Sequence, residues 1–278
     1  MKAILRYLCA LLAVICLTLS AALALFACVT TEDFAREIGN TKALQALQNQ
    51  RIQAEIAKLN ETWSLSPDVL SPFAENAVRE YTAAVAQWWG DLWTDASAEL
   101  TPPYYLTDAQ ISDVVSAVRA DAGFTAVTDE SQRRAIARDE VACALDEAVC
   151  NAVFPLRTSL VEIALNLLRD VCALPLLRDV ALISAAALAG LGLVMIILAR
   201  KAAGSALVAT ALVMAALTAP LWLMDVPGML AQLNEIVPEI ARNALAIMAL
   251  LWYGAAAMMG VLGGVILVVK VRFGREVA

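Results

Sequence analysis

Four stretches of the chain, about 7–28, 180–199, 204–224 and 244–269, contain no Asp, Glu, Lys or Arg. At 1.5 Å rise per residue each is long enough to cross a hydrocarbon core of about 30 Å, which takes roughly 20 helical residues. Between the first two stretches the apolar pattern changes from continuous to periodic. Ile52, Ile56, Leu59 and Trp63 follow one another at spacings of 4, 3 and 4, and Phe73, Ala77, Tyr81, Val85, Trp88 and Leu92 at 4, 4, 4, 3 and 4. Each set makes one apolar stripe on an amphipathic helix. Start signals agree: Ser71 precedes Pro72, Thr107 and Gln110 have capping-box spacing, and Thr128 precedes Asp129 and Glu130. Thr101-Pro102-Pro103 makes a break. The pattern predicts helices over 31–62, 72–95, 108–121, 130–148 and 156–174, and no segment alternates as a half-buried strand does.

Charge turns these spans into a topology. Lys2 and Arg6 precede the first span, Arg200 and Lys201 follow the second, and Lys270, Arg272 and Arg275 follow the fourth, with Glu276 as the acid beside them. Basic residues gather on the cytoplasmic side, so both termini are expected inside. The expected fold is therefore an all-α integral membrane protein: four transmembrane helices with a helical extracytoplasmic domain inserted between the first and second. Residues 1–28 are the N-terminal anchor and 29–179 the extracytoplasmic domain. Residues 180–278 hold three transmembrane helices, with a short outer loop at 225–243 whose Leu230, Leu233, Ile236, Val237 and Ile240 form an amphipathic stretch broken by Pro238. Composition agrees with a bilayer, since the chain is 61% hydrophobic and 17% charged, against roughly 45–50% and about 25% in soluble domains.

The first span has a rival reading as a secretory signal. Ala22-Leu23-Ala24 fits a cleavage site, and Leu25-Phe26-Ala27-Cys28 resembles a bacterial lipobox in which Cys28 is lipidated. An apolar run of about 22 residues is longer than the 7–15 of a signal's central region, which favours an uncleaved anchor.

Several kinds of chemistry fall away. The chain has no histidine, which removes Ser-His-Asp triads, Cys-His dyads and His-ligated metals. No Asp, Glu, Lys, Arg or His lies in a span, which argues against proton relays, voltage sensors and ion-coupled transport. No phosphate-cradling glycine loop is present, and neither a cofactor nor a nucleic-acid partner is expected. From 29 to 177 there are 22 acidic and 11 basic residues, a local charge of −11 that leaves +4 for the rest. The acids are scattered and form no Asp-x-Asp-x-Asp-Gly calcium loop.

Candidate residues remain in four groups. Cys28, Cys143, Cys150 and Cys172 lie outside the membrane or at its boundary, where disulfides are permitted. Cys143 and Cys150 can bridge only if their helix ends near Ala148, because seven residues of unbroken helix rise about 10.5 Å, past the roughly 7 Å Cα limit. Cys28 with Cys172 is a second pairing, and free or mixed thiols are a third state. Ala256, Gly260 and Gly264 make a small-residue seam for helix packing, as do Ala186 with Gly190 and Ala211 with Ala215 and Ala219. Trp88, Trp89, Trp93, Tyr104 and Tyr105 form an aromatic cluster, read as core, as a patch on lipid headgroups, or as an interaction platform for sugar or peptide. Asp91, Asp95 and Glu99, at intervals of four beside the tryptophans, are the carboxylates that a glycoside-hydrolysing site would use.

Two resemblances bear on function. Gly90-Asp91-Leu92-Trp93 is similar to the Gly-Leu-Trp signature in the first loop of claudins, which also have four spans. The loop here is far longer, reads helical and lacks the closely spaced cysteine pair that follows in claudins. The span order resembles the permease subunits of mechanotransmission ABC transporters, which implies an ATPase partner. Met1 to Arg6 and Arg200 to Gly204 are much shorter than the cytoplasmic helix and coupling segment of those permeases. The sequence is thus read as a multi-pass cell-membrane protein that is non-catalytic, has the lipid bilayer and an extracytoplasmic protein as partners, and acts in envelope interaction or assembly. A permease-type subunit and a carboxylate-dependent envelope enzyme are the alternatives.

Overall fold

A computed structural model describes residues 2–127, 140–154, 166–167, 169, 173–231 and 235–275. Among the described residues there is no strand. In chain order the helices are α1 (Lys2–Val29), α2 (Glu32–Gly39), α3 (Lys42–Thr62), α4 (Ser71–Ala74), α5 (Ala77–Leu92), α6 (Asp108–Ala120), α7 (Ala122–Val127), α8 (Glu140–Val153) and α9 (Leu174–Ala199). A 3-10 turn, Arg200–Ala202, leads to α10 (Ala203–Leu223), and α11 (Val226–Leu230) and α12 (Ile236–Arg275) complete the chain. Two compact units result. One is Met1–Thr30, Pro175–Val226 and Arg242–Ala278; the other is Thr31–Leu174 and Pro227–Ala241.

The first unit has an inverted distribution of side chains. Ile4, Leu11, Ile183, Ile197, Leu250 and Val261 are exposed, whereas Ala13, Ala181, Ala185, Ala203, Ala206 and Ala256 are buried. Small residues at contacts and large apolar ones outside suit lipid as solvent, because lipid gives helices no hydrophobic reason to associate and close backbone packing takes over. Three helical stretches are long and apolar enough to cross a membrane: Ile4–Val29, Leu174–Pro220 and Ile236–Lys270. The chain has the character of a membrane protein. The second span read from the sequence and the third as far as Pro220 lie within one of these stretches, on either side of the Arg200–Ala202 turn.

Contacts give the helix directions. Ser20 Oγ donates to the Ala185 carbonyl at 2.7 Å, and a Cβ on Gly192 would lie 2.9 Å from the Leu17 side chain, so α1 and α9 run antiparallel. Beyond the turn, Trp252 Nε1 donates to the Met214 carbonyl at 2.7 Å and Gly204 abuts Gly263, so α10 and α12 are antiparallel too. Arg200 has a φ of 48°. This left-handed conformation is uncommon outside glycine and often terminates a helix.

The glycine seam differs from the expected one. Ala256 is buried and a Cβ on Gly260 would make an ordinary 3.5 Å contact with Ala211, but one on Gly264 would meet nothing within 4 Å. The close approach is at Gly263, where a Cβ would lie 2.8 Å from the Gly204 carbonyl oxygen and 2.9 Å from the Val208 nitrogen. Helical geometry explains the shift. Two steps of four residues drift by about 80° around a helix, whereas a step of seven drifts by only about 20°. Gly190 likewise faces open space, and Gly192 makes the contact.

In the second unit the stripes pack as read. Ile52 and Ile56 of α3, Ala77 and Tyr81 of α5, Val114 and Val118 of α6, Phe124 of α7, and Leu145 and Val149 of α8 form one core. The Thr107 and Gln110 capping box is present. Two expected helices are interrupted. The 31–62 segment breaks at Asn40 and Thr41, and the 72–95 segment becomes the short α4 followed by α5, ending at Leu92. Ser71 opens α4 as its first residue rather than capping it. Of the helix read at 130–148, residues 140–148 belong to α8, which continues to Val153. The rest of it, and most of 156–174, lie outside the described residues.

Gly263→Ala should lower the stability of the purified full-length protein, because the added methyl meets backbone atoms and overpacking costs about 1–3 kcal/mol. Gly264→Ala should be neutral or stabilising, since replacing helical glycine gains about 0.5–1 kcal/mol where space permits. Thermal unfolding of both variants checks this, and equal midpoints would remove the Gly204–Gly263 contact as a packing determinant.

Candidate functional site

A cavity in the second unit is built around the packing of α2 on α5. Thr31 caps α2, its hydroxyl accepting the Phe34 N–H at 3.3 Å. Glycine at both ends of the contact lets the two helices approach: a Cβ on Gly39 would lie 2.2 Å from Thr82 Cγ2, and one on Gly90 would lie 2.8 Å from Glu32 Cβ. Beside this contact lies a cavity of about 290 Å³. Phe34, Ala35 and Ile38 come from α2, Leu44 and Gln48 from α3, and Thr82, Val85, Ala86, Trp88 and Trp89 from α5. Val153, Phe154 and Ile240 complete the described lining, and none of these side chains is charged.

Two polar groups in this wall have no partner. Gln48 is 1% exposed. Its Nε2 donates to the Val153 carbonyl at 3.1 Å, which orients the amide and leaves Oε1 without a hydrogen bond. Thr82, 6% exposed, has an unpaired Oγ1. Buried polar atoms are nearly always paired, and each exception costs about 1–3 kcal/mol. The sequence reading passed over both residues. A signal existed for Gln48, which occupies the buried α3 stripe Leu44, Gln48, Ile52, Ile56, where a purely structural face calls for another apolar residue.

The aromatic cluster does not form one surface. Tyr104 is 71% exposed, while Trp88 is 8% and Trp93 is 4% exposed. Trp88 Nε1 donates to the Glu99 carbonyl at 3.0 Å, and its ring meets Phe154 edge-on at 6.0 Å. Trp89 stacks edge-on with Trp93 at 5.8 Å. Trp88 and Trp89 therefore line the cavity, and the folded chain brings only part of the expected platform to the exterior.

The three carboxylates do not share a helix face, because α5 stops at Leu92 and places Asp95 and Glu99 beyond its end. All three are exposed. Asp95 accepts the Ser97 N–H at 2.8 Å and the Ser97 hydroxyl at 2.7 Å. The backbone bond and then the hydroxyl hold its pKa below the ordinary carboxylate value, opposite to what a general acid needs. Cys143 and Cys150 both lie on the unbroken α8, so the condition for bridging them is not met. Cys150 instead places its thiol 3.7 Å from Asp146 Oδ2. Cys172 lies outside the described residues, and with it the pairing to Cys28.

Other polar groups stabilise the bundle. Buried Asp146 accepts the backbone N–H of Tyr105 at 2.5 Å and of Leu106 at 3.4 Å, tying α8 to the segment that enters α6. Tyr105 OH donates to the Phe73 carbonyl at 2.6 Å. Burial, then the charge of Glu80, pushes its pKa up to about 12. Asp121 Oδ2 accepts the N–H of Ser66 at 3.3 Å and of Phe124 at 3.1 Å. The Ser66 hydroxyl first, with the amides of Phe124, Ser66 and Gly123, lowers its pKa below the usual 3.8, while burial opposes the shift.

No protein-family model matches the chain, and no curated protein or solved structure matches it.

Tyr105→Phe keeps the edge-on contact with Tyr81 and removes one hydrogen bond, so it should cost about 0.5–1.5 kcal/mol at neutral pH. Because the folded pKa is raised, the advantage over Phe should be full below about pH 10 and lost as pH rises through about 12. Denaturant titration followed by circular dichroism measures it, and a pH-independent difference would sever it from the hydroxyl.

Asp121→Ala should cost about 0.5–2 kcal/mol at neutral pH, the range for losing a capping side chain. A depressed folded pKa contributes stability above the ordinary carboxylate value that is lost as pH falls through the folded value. The gap between wild type and variant should therefore close below about pH 3.8. A gap that persists in acid would assign the effect to packing.

Proposed function

We propose that this is a multi-pass cell-membrane protein that crosses the bilayer four times, with both termini cytoplasmic and residues 29–179 outside. Its helical outer domain acts by binding, as a non-catalytic envelope interaction or assembly protein. The observation that carries this reading is the membership of the second unit, which joins Thr31–Leu174 to Pro227–Ala241. Within it, Arg51 pairs with Glu235 at 3.1 Å, and Ile240 lines the same cavity as Phe34 and Val85. Segments of one compact unit lie on one side of a membrane, so the apolar Leu174–Pro220 stretch between them must cross an even number of times. Its 47 residues suffice for two crossings at about 20 residues each. The turn at Arg200–Ala202 supplies the reversal, and the basic residues there and near both termini then occupy one side, as the positive-inside rule requires. A binding role is supported by the apolar cavity, which offers recognition surface, whereas the candidate carboxylates stand on the exterior.

A membrane-impermeant thiol reagent should add one label to Asn40→Cys in intact cells, relative to the parent chain. A cysteine appended after Ala278 should gain its label only after lysis. C-terminal labelling in intact cells would overturn the topology, and co-purification of an ATPase from native membranes would replace the interaction reading with the permease one.

A further inference from the structure

We infer that the cavity between α2, α3 and α5 is a binding site for a neutral single-chain amphiphile, an aliphatic chain bearing a hydroxyl such as a fatty alcohol or monoacylglycerol. Three observations converge. The described wall has no charged side chain and is almost entirely hydrocarbon and aromatic, so an ionised headgroup would lose its hydration without compensation. The volume of about 290 Å³ holds on the order of ten water-sized groups at about 30 Å³ each, which suits one medium-length chain. Gln48 Oε1 and Thr82 Oγ1, both in wall-forming side chains, lack partners.

Those two atoms select the headgroup. An amide oxygen only accepts, and a threonine hydroxyl both donates and accepts. A hydroxyl both donates and accepts and so matches both groups chemically, whereas an ester, a ketone or an alkane has no proton to donate to Gln48 Oε1. Both atoms are closed off in the ligand-free fold, so taking up such a head requires the Gln48 and Thr82 side chains to turn inward, with Gln48 giving up its bond to the Val153 carbonyl. The likeness to ordinary ligand sites is close, for these are mostly apolar with a few placed polar groups.

Sequence position points to the bilayer as the source. Ile240 belongs to the third apolar stretch, Ile236–Lys270, and Phe34 follows the end of the first, Ile4–Val29, by five residues. Choosing a membrane source rests on the proposed topology, whereas binding itself does not.

The test uses the full-length protein in lipid nanodiscs with a photoactivatable diazirine dodecanol, and the matching dodecanoate as the charged control. Cross-links mapped by mass spectrometry should appear on the peptides carrying Phe34, Ile38, Val85 and Trp89, with the alcohol labelling at least tenfold more than the carboxylate. Val85→Trp, which fills the cavity, should reduce this labelling at least tenfold while labelling of the apolar stretches continues. Thr82→Val, which keeps the side-chain shape, should raise the thermal midpoint of the ligand-free protein and narrow the alcohol preference. Labelling confined to the apolar stretches, or wall labelling unaffected by Val85→Trp in a protein of unchanged helicity, would overturn the site. Equal labelling by alcohol and carboxylate, or a Thr82→Val protein with unchanged preference, would overturn the headgroup assignment. Each outcome is independent of the thiol-labelling experiment, so a wrong topology and a wrong site give different results.

Discussion

A chain that leaves a compact unit, passes through a largely apolar helical stretch of 47 residues and comes back to that unit is under a strong geometric constraint. Nothing in lipid can hydrogen-bond a broken backbone, so spanning segments must stay helical and reverse only where water or protein satisfies the freed groups. In the proposed topology the reversal falls at Arg200–Ala202, whose two basic residues favour water. Lys270 Nζ donates to the Lys201 carbonyl there at 2.6 Å, giving one exposed carbonyl a charged partner. The proposed four-crossing topology follows from this one return.

The two units solve packing in opposite ways. In the apolar unit, helices meet through Gly204, Gly263, Gly192 and alanines, and interhelical hydrogen bonds among the described residues include those from Ser20 and Trp252 to carbonyls and from the Thr218 hydroxyl to that of Tyr253. The second unit is an ordinary bundle with Tyr81, Phe124 and Leu145 inside, tied by carboxylates that accept backbone amides. Asp146 and Asp121 have their hydrogen-bonding needs met, whereas Gln48 and Thr82 do not. That contrast within one bundle is why the cavity, rather than the acidic residues, stands out as the binding element. Stability alone would favour leucine at 48 and valine at 82.

The sequence by itself determined the helical class, the apolar stretches and the capping box at Thr107, because each depends on periodicity or on neighbours within a turn or two. It also showed which faces of α3 and α5 are buried, since Ile52, Ile56, Tyr81 and Trp88 repeat at helical spacing. Only the tertiary structure decided where the seams and cavity lie. A four-residue repeat of small residues drifts around the helix, so the contact at Gly263 rather than Gly264 depends on which helix lies opposite. The break at Asn40 and Thr41, the loss of a shared face for Asp91, Asp95 and Glu99, and the inward turn of Trp93 are consequences of packing partners far away in sequence. The unpaired atoms of Gln48 and Thr82 belong to the same class. Whether a polar side chain finds a partner depends on every element around it, and in the linear sequence Val153 is 105 residues from Gln48.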